Sequence, residues 1–186
     1  KSRGCYFIER RVAILAEFKE ICKSRHSVRK FKEENIDDKL IDEILEIVQT
    51  SPSAGNLQTY EVIVVKDGNI RKELAAAALG QRFIAQAPVV LVFMALPFES
   101  FQRYRERGLN LYAIQDATIA CTYAMLAAQS LGLSSVWVGA FENEKVSKVL
   151  MTDEDRLPMA ILPIGYSIQK PEITLRKPLD DIVRRI

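Results

Sequence analysis

The segment Arg25-His26-Ser27-Val28-Arg29 places two guanidinium groups and a hydroxyl at alternate positions. Because side chains of an extended backbone alternate between its two faces, an extended segment would present Arg25, Ser27 and Arg29 on one side. Such a group suits a phosphate monoester, since arginine binds phosphate oxygens in bidentate fashion and serine adds a donor. A solvated basic helix end would also account for these residues, and for the segment alone it is the simpler interpretation.

The loop Ser51-Pro52-Ser53-Ala54-Gly55-Asn56-Leu57-Gln58 follows a predicted helix and precedes a predicted strand. Its small residues leave backbone N–H and C=O groups accessible, and Asn56 and Gln58 add amide side chains. An amide both donates and accepts hydrogen bonds, which matches the mixed edge of a flavin pyrimidine ring. An ordinary helix-terminating loop uses the same residue types, so this loop alone does not establish a binding site.

Two further candidates lie in the second half of the chain. Gly139, at the end of a predicted strand, would let a ring approach the main chain closely, although a plain strand end would look the same. Arg176 in the tail could close over the same phosphate as Arg25 and Arg29, or could belong to a solvated charge pair.

His26 has no acidic or nucleophilic partner in sequence, so we assign it a positional role. We interpret Cys121, on an apolar helix, as a buried packing residue.

Composition narrows the classes of ligand. The chain has 26 basic and 24 acidic side chains, dispersed along its length, and a net charge of +2. This balance argues against nucleic acid or an anionic membrane surface and favours a small neutral or anionic ligand. Three cysteines without a CxxC pair and a single histidine cannot form a zinc or haem site, so we expect no metal. The sparse cysteines favour a cytoplasmic location.

The pattern of apolar residues predicts one domain over residues 12–186, preceded by an extension, native or added for expression, over residues 1–11. Helices and strands alternate, which indicates an α/β or α+β class. Residues 60–66 and 88–94 are predicted to be interior strands covered on both faces. The remaining predicted strands span residues 135–141 and 160–166, and the predicted helices span residues 12–23, 37–48, 71–79, 110–131 and 144–150. The tail, residues 170–186, lacks the apolar residues to fold alone and is expected to dock on a partner subunit.

The order and spacing of these pieces together resemble the nitroreductase family. The likeness runs from about Phe18 to Ile182 and includes Asp116 on the long helix. It rests on six short segments taken in order, namely 24–31, 51–58, 131–133, 136–139, 162–166 and 176–179. The sequence has neither the GxGxxG nor the GxxxxGK[ST] pattern of nucleotide-binding folds, which agrees with this resemblance.

The resemblance implies a central mixed, mostly antiparallel sheet flanked by helices, and a homodimer formed through the long central helices with FMN at the interface. The residues that match the family's phosphate and ribityl contacts are Arg25, His26, Ser27, Arg29 and Arg176. Those that match the wall from the other subunit are Pro52, Ser53, Ala54 and Asn56, and those that match backbone contacts to the flavin ring are Val138 and Gly139.

The function implied is hydride transfer from NADH or NADPH to FMN and then to a small oxidant such as a quinone or nitroaromatic. The flavin carries this chemistry, so no catalytic side chain is expected. Residues 97–109, where larger members carry substrate-covering helices, are few here, and the aromatic candidates to line the mouth are Phe98, Phe101, Tyr104 and Tyr112. Three alternatives remain open: a family variant with another flavin reaction, such as dehalogenation or heterocycle oxidation; a flavin-binding sensor or carrier with little turnover; and a flavin-free interaction module.

Overall fold

Helices and strands alternate along the chain in the computed structural model, which describes residues 17–170 and 174–186. Within these residues a helix over residues 17–24 (α1) precedes the others. The further helices are α2 (Asp38–Gln49), α3 (Gly68–Ala77), α4 (Phe83–Gln86), α5 (Pro97–Arg107), α6 (Ala113–Ser130) and α7 (Asn143–Leu150). The strands are β1 (Tyr60–Val65), β2 (Val89–Ala95), β3 (Ser134–Ser135) and β4 (Leu157–Gly165).

The four strands form one sheet in the order β1-β2-β4-β3, with antiparallel pairing throughout. The segment after α1 extends this sheet, because Ser27 makes a parallel bridge with Ser135 in β3. The predicted mixed, mostly antiparallel sheet is therefore confirmed, as is an extended backbone between α1 and Phe31.

Strand β2 lies in the centre of the sheet and every one of its residues is buried. Its alternate side chains face two clusters: Val90 and Val92 pack with residues of α3, α4 and α7, and Leu91 and Phe93 pack with residues of α2 and α6. The prediction of a strand covered on both faces is correct for β2. It is wrong for β1, which lies at the edge of the sheet with Val64 exposed.

The long central helix α6 confirms the predicted helix over residues 110–131, although its first turn differs. Residues Gly108–Tyr112 form a π-helical turn that runs directly into α6. The buried face of α6 is made mostly of alanines, whose small side chains let the helix lie close to the sheet.

Three parts of the chain differ from the sequence prediction or lie beyond what can be compared. The strand predicted over residues 135–141 is too long, because pairing stops after Ser135 and resumes only at Val138, which bridges Ile161. Helix α5 was not predicted, although Phe98, Phe101 and Tyr104 recur at helical spacing within its charged sequence. Residues 12–16 of the first predicted helix, and the predicted extension over residues 1–11, lie outside the described residues.

Candidate active site

The basic segment after α1 lies along the β3 edge of the sheet. Val28 is buried in the core, and its N–H donates to Ser135 O at 3.1 Å. Because Val28 points inward, the alternation of an extended backbone turns Ser27 and Arg29 away from that core. Arg25 is half-buried and its Nη1 lies 3.9 Å from Met125 Sδ on α6, whereas Arg29 is exposed. The two arginines thus flank Ser27, one beside α6 and one at the surface.

His26 carries a buried nitrogen that lacks a partner. Its Nδ1 lies 3.0 Å from Ser24 O. A carbonyl oxygen only accepts, so this contact places the proton on Nδ1 and leaves Nε2 as an acceptor in the neutral ring. Among the described residues nothing bonds to Nε2, although the atom is shielded from water. A buried polar atom in this state is costly unless another group supplies the bond.

Two residues that the sequence reasoning missed connect Arg29 with the Gly139 segment. The Arg29 guanidinium lies over the Phe83 ring, 5.9 Å from its centroid. Two residues earlier, Gln81 Nε2 donates to Ala140 O at 2.9 Å. Arg29 and the exposed Gly139 therefore lie on either side of one short segment at the start of α4. A cavity of about 1020 Å³ opens beside Arg29 and Phe83.

No sequence signal distinguishes Gln81 and Phe83. They reach this place because α3 is followed by two residues with positive φ, Leu79 at 58° and Gly80 at 76°, which reverse the chain.

Val138 is buried, and its backbone N–H and C=O are both hydrogen-bonded to Ile161, at 2.9 and 3.0 Å. Trp137 packs against the core.

The loop from Ser51 to Gln58 lies at the other side of the molecule and is tied to the start of α6. Asp116 Oδ1 accepts a hydrogen bond from the Ala54 N–H at 2.9 Å, and its Oδ2 accepts from Thr59 Oγ1 at 2.7 Å. Asp116 is only 2% exposed, so both carboxylate oxygens depend on these donors. Ser53 Oγ accepts from the Gln58 N–H at 2.9 Å and closes the loop on itself.

The loop has an unusual backbone conformation. Three of its residues have positive φ, namely Gly55 at 57°, Asn56 at 56° and Gln58 at 52°. A Cβ on Gly55 would overlap the Tyr104 hydroxyl and lie 3.2 Å from Arg103 Cζ. Glycine is therefore needed both for the left-handed conformation and for the close approach of α5.

A cavity of about 380 Å³ lies between this loop and the helices. Two of the four aromatic candidates, Tyr104 and Tyr112, line it, whereas Phe98 is exposed elsewhere. The other lining residues are Pro52, Ser53, Ala54, Gln115, Asp116 and Ile119. Asn56, predicted with this loop, is exposed beside it.

The predicted site residues thus form two groups at opposite edges of the sheet. One group, with Arg25 to Arg29 and Val138-Gly139, lies at the β3 edge, and the Pro52 to Asn56 loop leads into the β1 edge. Three strand spacings separate these edges, roughly 14 Å. The residues of α6 that the two groups contact give a similar separation. Met125, beside Arg25, and Asp116, bonded to Ala54, are about 13 Å apart along a helix that rises 1.5 Å per residue. Among the described residues, no hydrogen bond or ion pair joins the two groups.

Arg176 joins neither group. It is exposed, like every described residue from 174 to 186.

Cys121 is fully buried, as predicted, and burial raises the pKa of its thiol well above 9.0. Among the described residues, no group of three or more His, Cys, Asp or Glu side chains could hold a metal ion, and no helix there is long and apolar enough to cross a membrane.

Comparison with known proteins assigns the family. The model of the nitroreductase family matches residues 22–82 and 76–166. The chain belongs to the nitroreductase family. The matched region contains both groups of candidate residues except Arg176, and the resemblance drawn from the sequence is confirmed.

Curated relatives of this nitroreductase-family chain cover most of its length. It is 32% identical to the FMN reductase [NAD(P)H] of Bacillus subtilis, with 83% of this chain and 70% of the relative covered. It is 28% identical to the NADH dehydrogenase of Thermus thermophilus, with 86% of this chain and 91% of that protein covered.

Solved structures agree on the fold of the nitroreductase-family chain. A nitroreductase family protein from Streptococcus pneumoniae superposes with a TM-score of 0.83 at 25% identity, covering 91% of this chain and all of that one. The NADPH:FMN oxidoreductase from Vibrio harveyi, solved with NAD+, gives a TM-score of 0.83 at 26% identity over 91% of this chain and 76% of that one. The predicted fold class is confirmed.

Proposed function

We propose that this protein is an FMN-dependent oxidoreductase that takes hydride from NADH or NADPH and reduces a small oxidant such as a quinone or a nitroaromatic. Membership of the nitroreductase family and similarity to an FMN reductase support the reaction class. The separation of the predicted site residues into two groups at opposite sheet edges carries the structural part of the proposal.

The residues at the β3 edge fit FMN. A phosphate monoester would find two guanidinium groups and a hydroxyl on the Arg25 to Arg29 segment, where charge-assisted hydrogen bonds are strong. The unpartnered His26 Nε2 would gain a donor from a ribityl hydroxyl. A Cβ on Gly139 would lie 3.3 Å from Trp137 Nε1, tighter than most such contacts, so a glycine suits this position beside the indole.

The second group would complete the site from another subunit. Pro52, Ser53, Ala54 and Asn56 would form the far wall of the flavin site, because in one chain they lie at the opposite edge of the sheet from the first group. A twofold axis beside α6 would bring the two groups together twice, since a twofold contact uses the same surface on both subunits. We therefore propose a homodimer with two equivalent sites.

The outer face of α6 supports this assembly. The sequence carries no charged residue from Ala117 to Ser130. The hydroxyls of Thr118 and Thr122 donate to carbonyls one turn back, at 2.7 and 2.9 Å, so they need no water. An apolar groove of about 320 Å³ runs beside this face and is lined by Phe18, Ile21, Ile47, Tyr123, Leu126, Ala127 and Ser130. A partner subunit would cover this surface.

The C-terminal tail would add to the same interface. Leu175, Leu179 and Ile182 are 92%, 59% and 65% exposed, a large apolar area for a tail in water. Docking on the partner would bury these side chains and bring Arg176 toward a phosphate. The proposed domain is thus a single unit whose tail completes the partner's surface.

The net reaction balances without a catalytic side chain. NAD(P)H and one proton reduce a quinone to a hydroquinone, or a nitro group to a nitroso group with release of water. When bound, FMN supplies the two-electron exchange between donor and acceptor. The chain's own part is to hold the phosphate with Arg25 and Arg29 and to exclude water between the two subunits. Negative charge on the ring would be stabilised by the backbone N–H of Gly139, because that of Val138 donates to Ile161 O.

The first test is the visible spectrum of the purified protein with FMN, before and after anaerobic addition of NADH or NADPH. We expect a bound-flavin spectrum that bleaches with one of the two donors and returns when a quinone is added. Flavin that binds but does not bleach would instead identify a sensor or carrier. A protein without affinity for FMN would favour an interaction module.

Replacing Arg29 tests the phosphate assignment. We expect Arg29→Ala to weaken FMN binding by roughly 10- to 100-fold, because hydrogen bonds to charged groups contribute about 1.5–3 kcal/mol. Fluorescence titration with FMN and with riboflavin measures this, and the loss should be confined to FMN because riboflavin has no phosphate. Lys72→Ala, at an exposed position on α3, is the control. Equal affinity of Arg29→Ala and the unaltered protein for FMN would overturn the assignment.

A further inference from the structure

The aromatic wall of the cavity beside the Ser51 to Gln58 loop is held in a fixed arrangement. The rings of Tyr104 and Tyr112 meet edge to face, with centroids 5.0 Å apart and planes at 86°. Arg107 Nε donates to Tyr112 Oη at 2.8 Å, and the Tyr104 hydroxyl lies against Gly55. Edge-to-face packing is a favoured geometry for aromatic rings, so these contacts stabilise one wall shape.

Arginine side chains surround this wall. The guanidinium of Arg103 lies 5.5 Å from the centroid of the Tyr104 ring, and that of Arg107 lies 5.3 Å from the Tyr112 ring. A third arginine, Arg105, stacks 5.7 Å from Phe101. All three are exposed. Stacking on a ring orders a guanidinium and leaves the N–H groups on its edge able to donate. Arg103 uses Nη1 toward Gly55 O at 3.5 Å and Arg107 uses Nε toward Tyr112, and their remaining N–H groups can bind an anion.

Two acidic side chains near this wall already accept hydrogen bonds from other residues of the chain. The segment from Pro97 to Tyr112 contains two glutamates against these three arginines. One of them, Glu106, accepts from Asn110 Nδ2 at 3.1 Å. Asp116 lines the cavity, but both of its oxygens accept from the loop and it is almost fully buried. Glu106 and Asp116 thus already accept hydrogen bonds from within the chain, whereas the guanidinium groups of Arg103 and Arg107 are exposed beside the two rings.

We propose that Arg103 and Arg107, held on Tyr104 and Tyr112, make this cavity selective for planar aromatic acceptors that carry a carboxylate or similar anionic group. The inference rests on the proposed function, since it names the class of acceptor for that site. The aromatic wall and Ile119 accommodate a flat apolar ring, and the guanidinium groups at the rim bind the anionic substituent. A cavity of about 380 Å³ is large enough for a compound of one or two rings.

The test compares the reduction of 4-nitrobenzoate with that of neutral 4-nitrobenzamide at a fixed concentration of NADH. The two compounds differ in reactivity, so the informative quantity is the ratio of their kcat/KM values in each protein. We expect this ratio to fall roughly three- to tenfold in Arg103→Gln/Arg107→Gln, the range for losing exposed charge contacts. Lys148→Gln on α7, also exposed, should leave the ratio unchanged. Added salt should lower the ratio in the unaltered protein and have little effect in the double variant.

Calorimetry without a reductant provides a readout that does not depend on turnover. Titration of the oxidised, FMN-loaded protein with each compound gives the ratio of dissociation constants, which should change in the same direction and by a similar factor. If neither NADH nor NADPH reduces the bound flavin but the binding ratio depends on the two arginines, the proposed function fails and the selectivity of the cavity stands. If both are reduced and neither ratio changes in the double variant, the inference is wrong and the proposed function stands.

Discussion

Asp116 and Ala54 are 62 residues apart in sequence, yet the Ala54 N–H donates to the Asp116 carboxylate at 2.9 Å. The second carboxylate oxygen accepts from Thr59 at the end of the same loop. One buried side chain on α6 therefore fixes the middle of the loop that we assign to the far wall of the flavin site, together with the residue that follows it.

We expect Asp116→Asn to lower the free energy of unfolding by about 1–3 kcal/mol and to weaken FMN binding. An amide would turn an NH₂ group toward one of two donors, so a buried donor loses its acceptor. Urea unfolding and FMN titration measure the two effects. Thr59→Val removes only one of the bonds and should cost less than Asp116→Asn. If both variants matched the unaltered protein, the carboxylate would not be positioning the loop.

We expect Gly55→Ala to lower Tm more than Gly80→Ala does. Both glycines have positive φ, at 57° and 76°, so both substitutions impose backbone strain. Only at Gly55 would the new methyl group meet the Tyr104 hydroxyl, because nothing lies within 4 Å of a Cβ at Gly80. Adding Tyr104→Phe to Gly55→Ala should recover part of the loss. Equal changes in Tm for the two alanine variants would contradict the close approach of α5 to the loop.

We expect Leu126→Glu to produce a monomer that binds FMN weakly. The substitution places a charge in the apolar groove beside α6, where the proposed partner would desolvate it. Sedimentation velocity gives the mass, and circular dichroism tests whether the monomer stays folded. Met151→Glu, at an apolar side chain that is 86% exposed on another face, should remain dimeric. A Leu126→Glu monomer that retains full FMN affinity would exclude a site shared between subunits.

Stability at acid pH should depend on Asp67, which caps the start of α3. Hydrogen bonds from the backbone N–H groups of Ile70 and Asn69 hold the pKa of this carboxyl below its usual value of 3.8. A lowered pKa means that the charged form stabilises the folded state above pH 3.8 and that this contribution is lost as the pH falls below that value. Asp67→Asn keeps an amide cap that does not titrate, so its stability deficit relative to the unaltered protein should shrink as the pH falls below about 3.8.

Urea unfolding at a series of pH values measures this difference directly. Glu73→Gln, on the exposed side of the same helix, controls for the general effect of removing a carboxylate. A deficit of Asp67→Asn that stays constant over the whole range would mean that the ionised cap contributes nothing specific.

Local chemistry explains which parts of the fold could be predicted from the sequence. The apolar period of α2 and the unbroken apolar run of β2 determine a helix and a buried strand, because burial of those side chains dominates their energetics. Strand β1 has a similar composition, but whether such a strand is central or at an edge depends on how many neighbours pair with it. Helix α5 went unpredicted because its many charged residues obscure the helical spacing of Phe98, Phe101 and Tyr104, and tertiary contacts such as that of Tyr104 with Gly55 help to stabilise it.

The sequence by itself determined the chemistry of the candidate site: paired arginines around a serine, a loop of small and amide residues, and an uncharged helix face. It also indicated the family, since the spacing of these segments is specific when they are taken together. Only the tertiary structure decided that the arginine segment and the loop lie at opposite edges of one sheet, and that Gln81 and Phe83 lie beside Arg29. Strand order and chain reversals set those distances, and they depend on pairing between segments far apart in sequence, which no local pattern encodes.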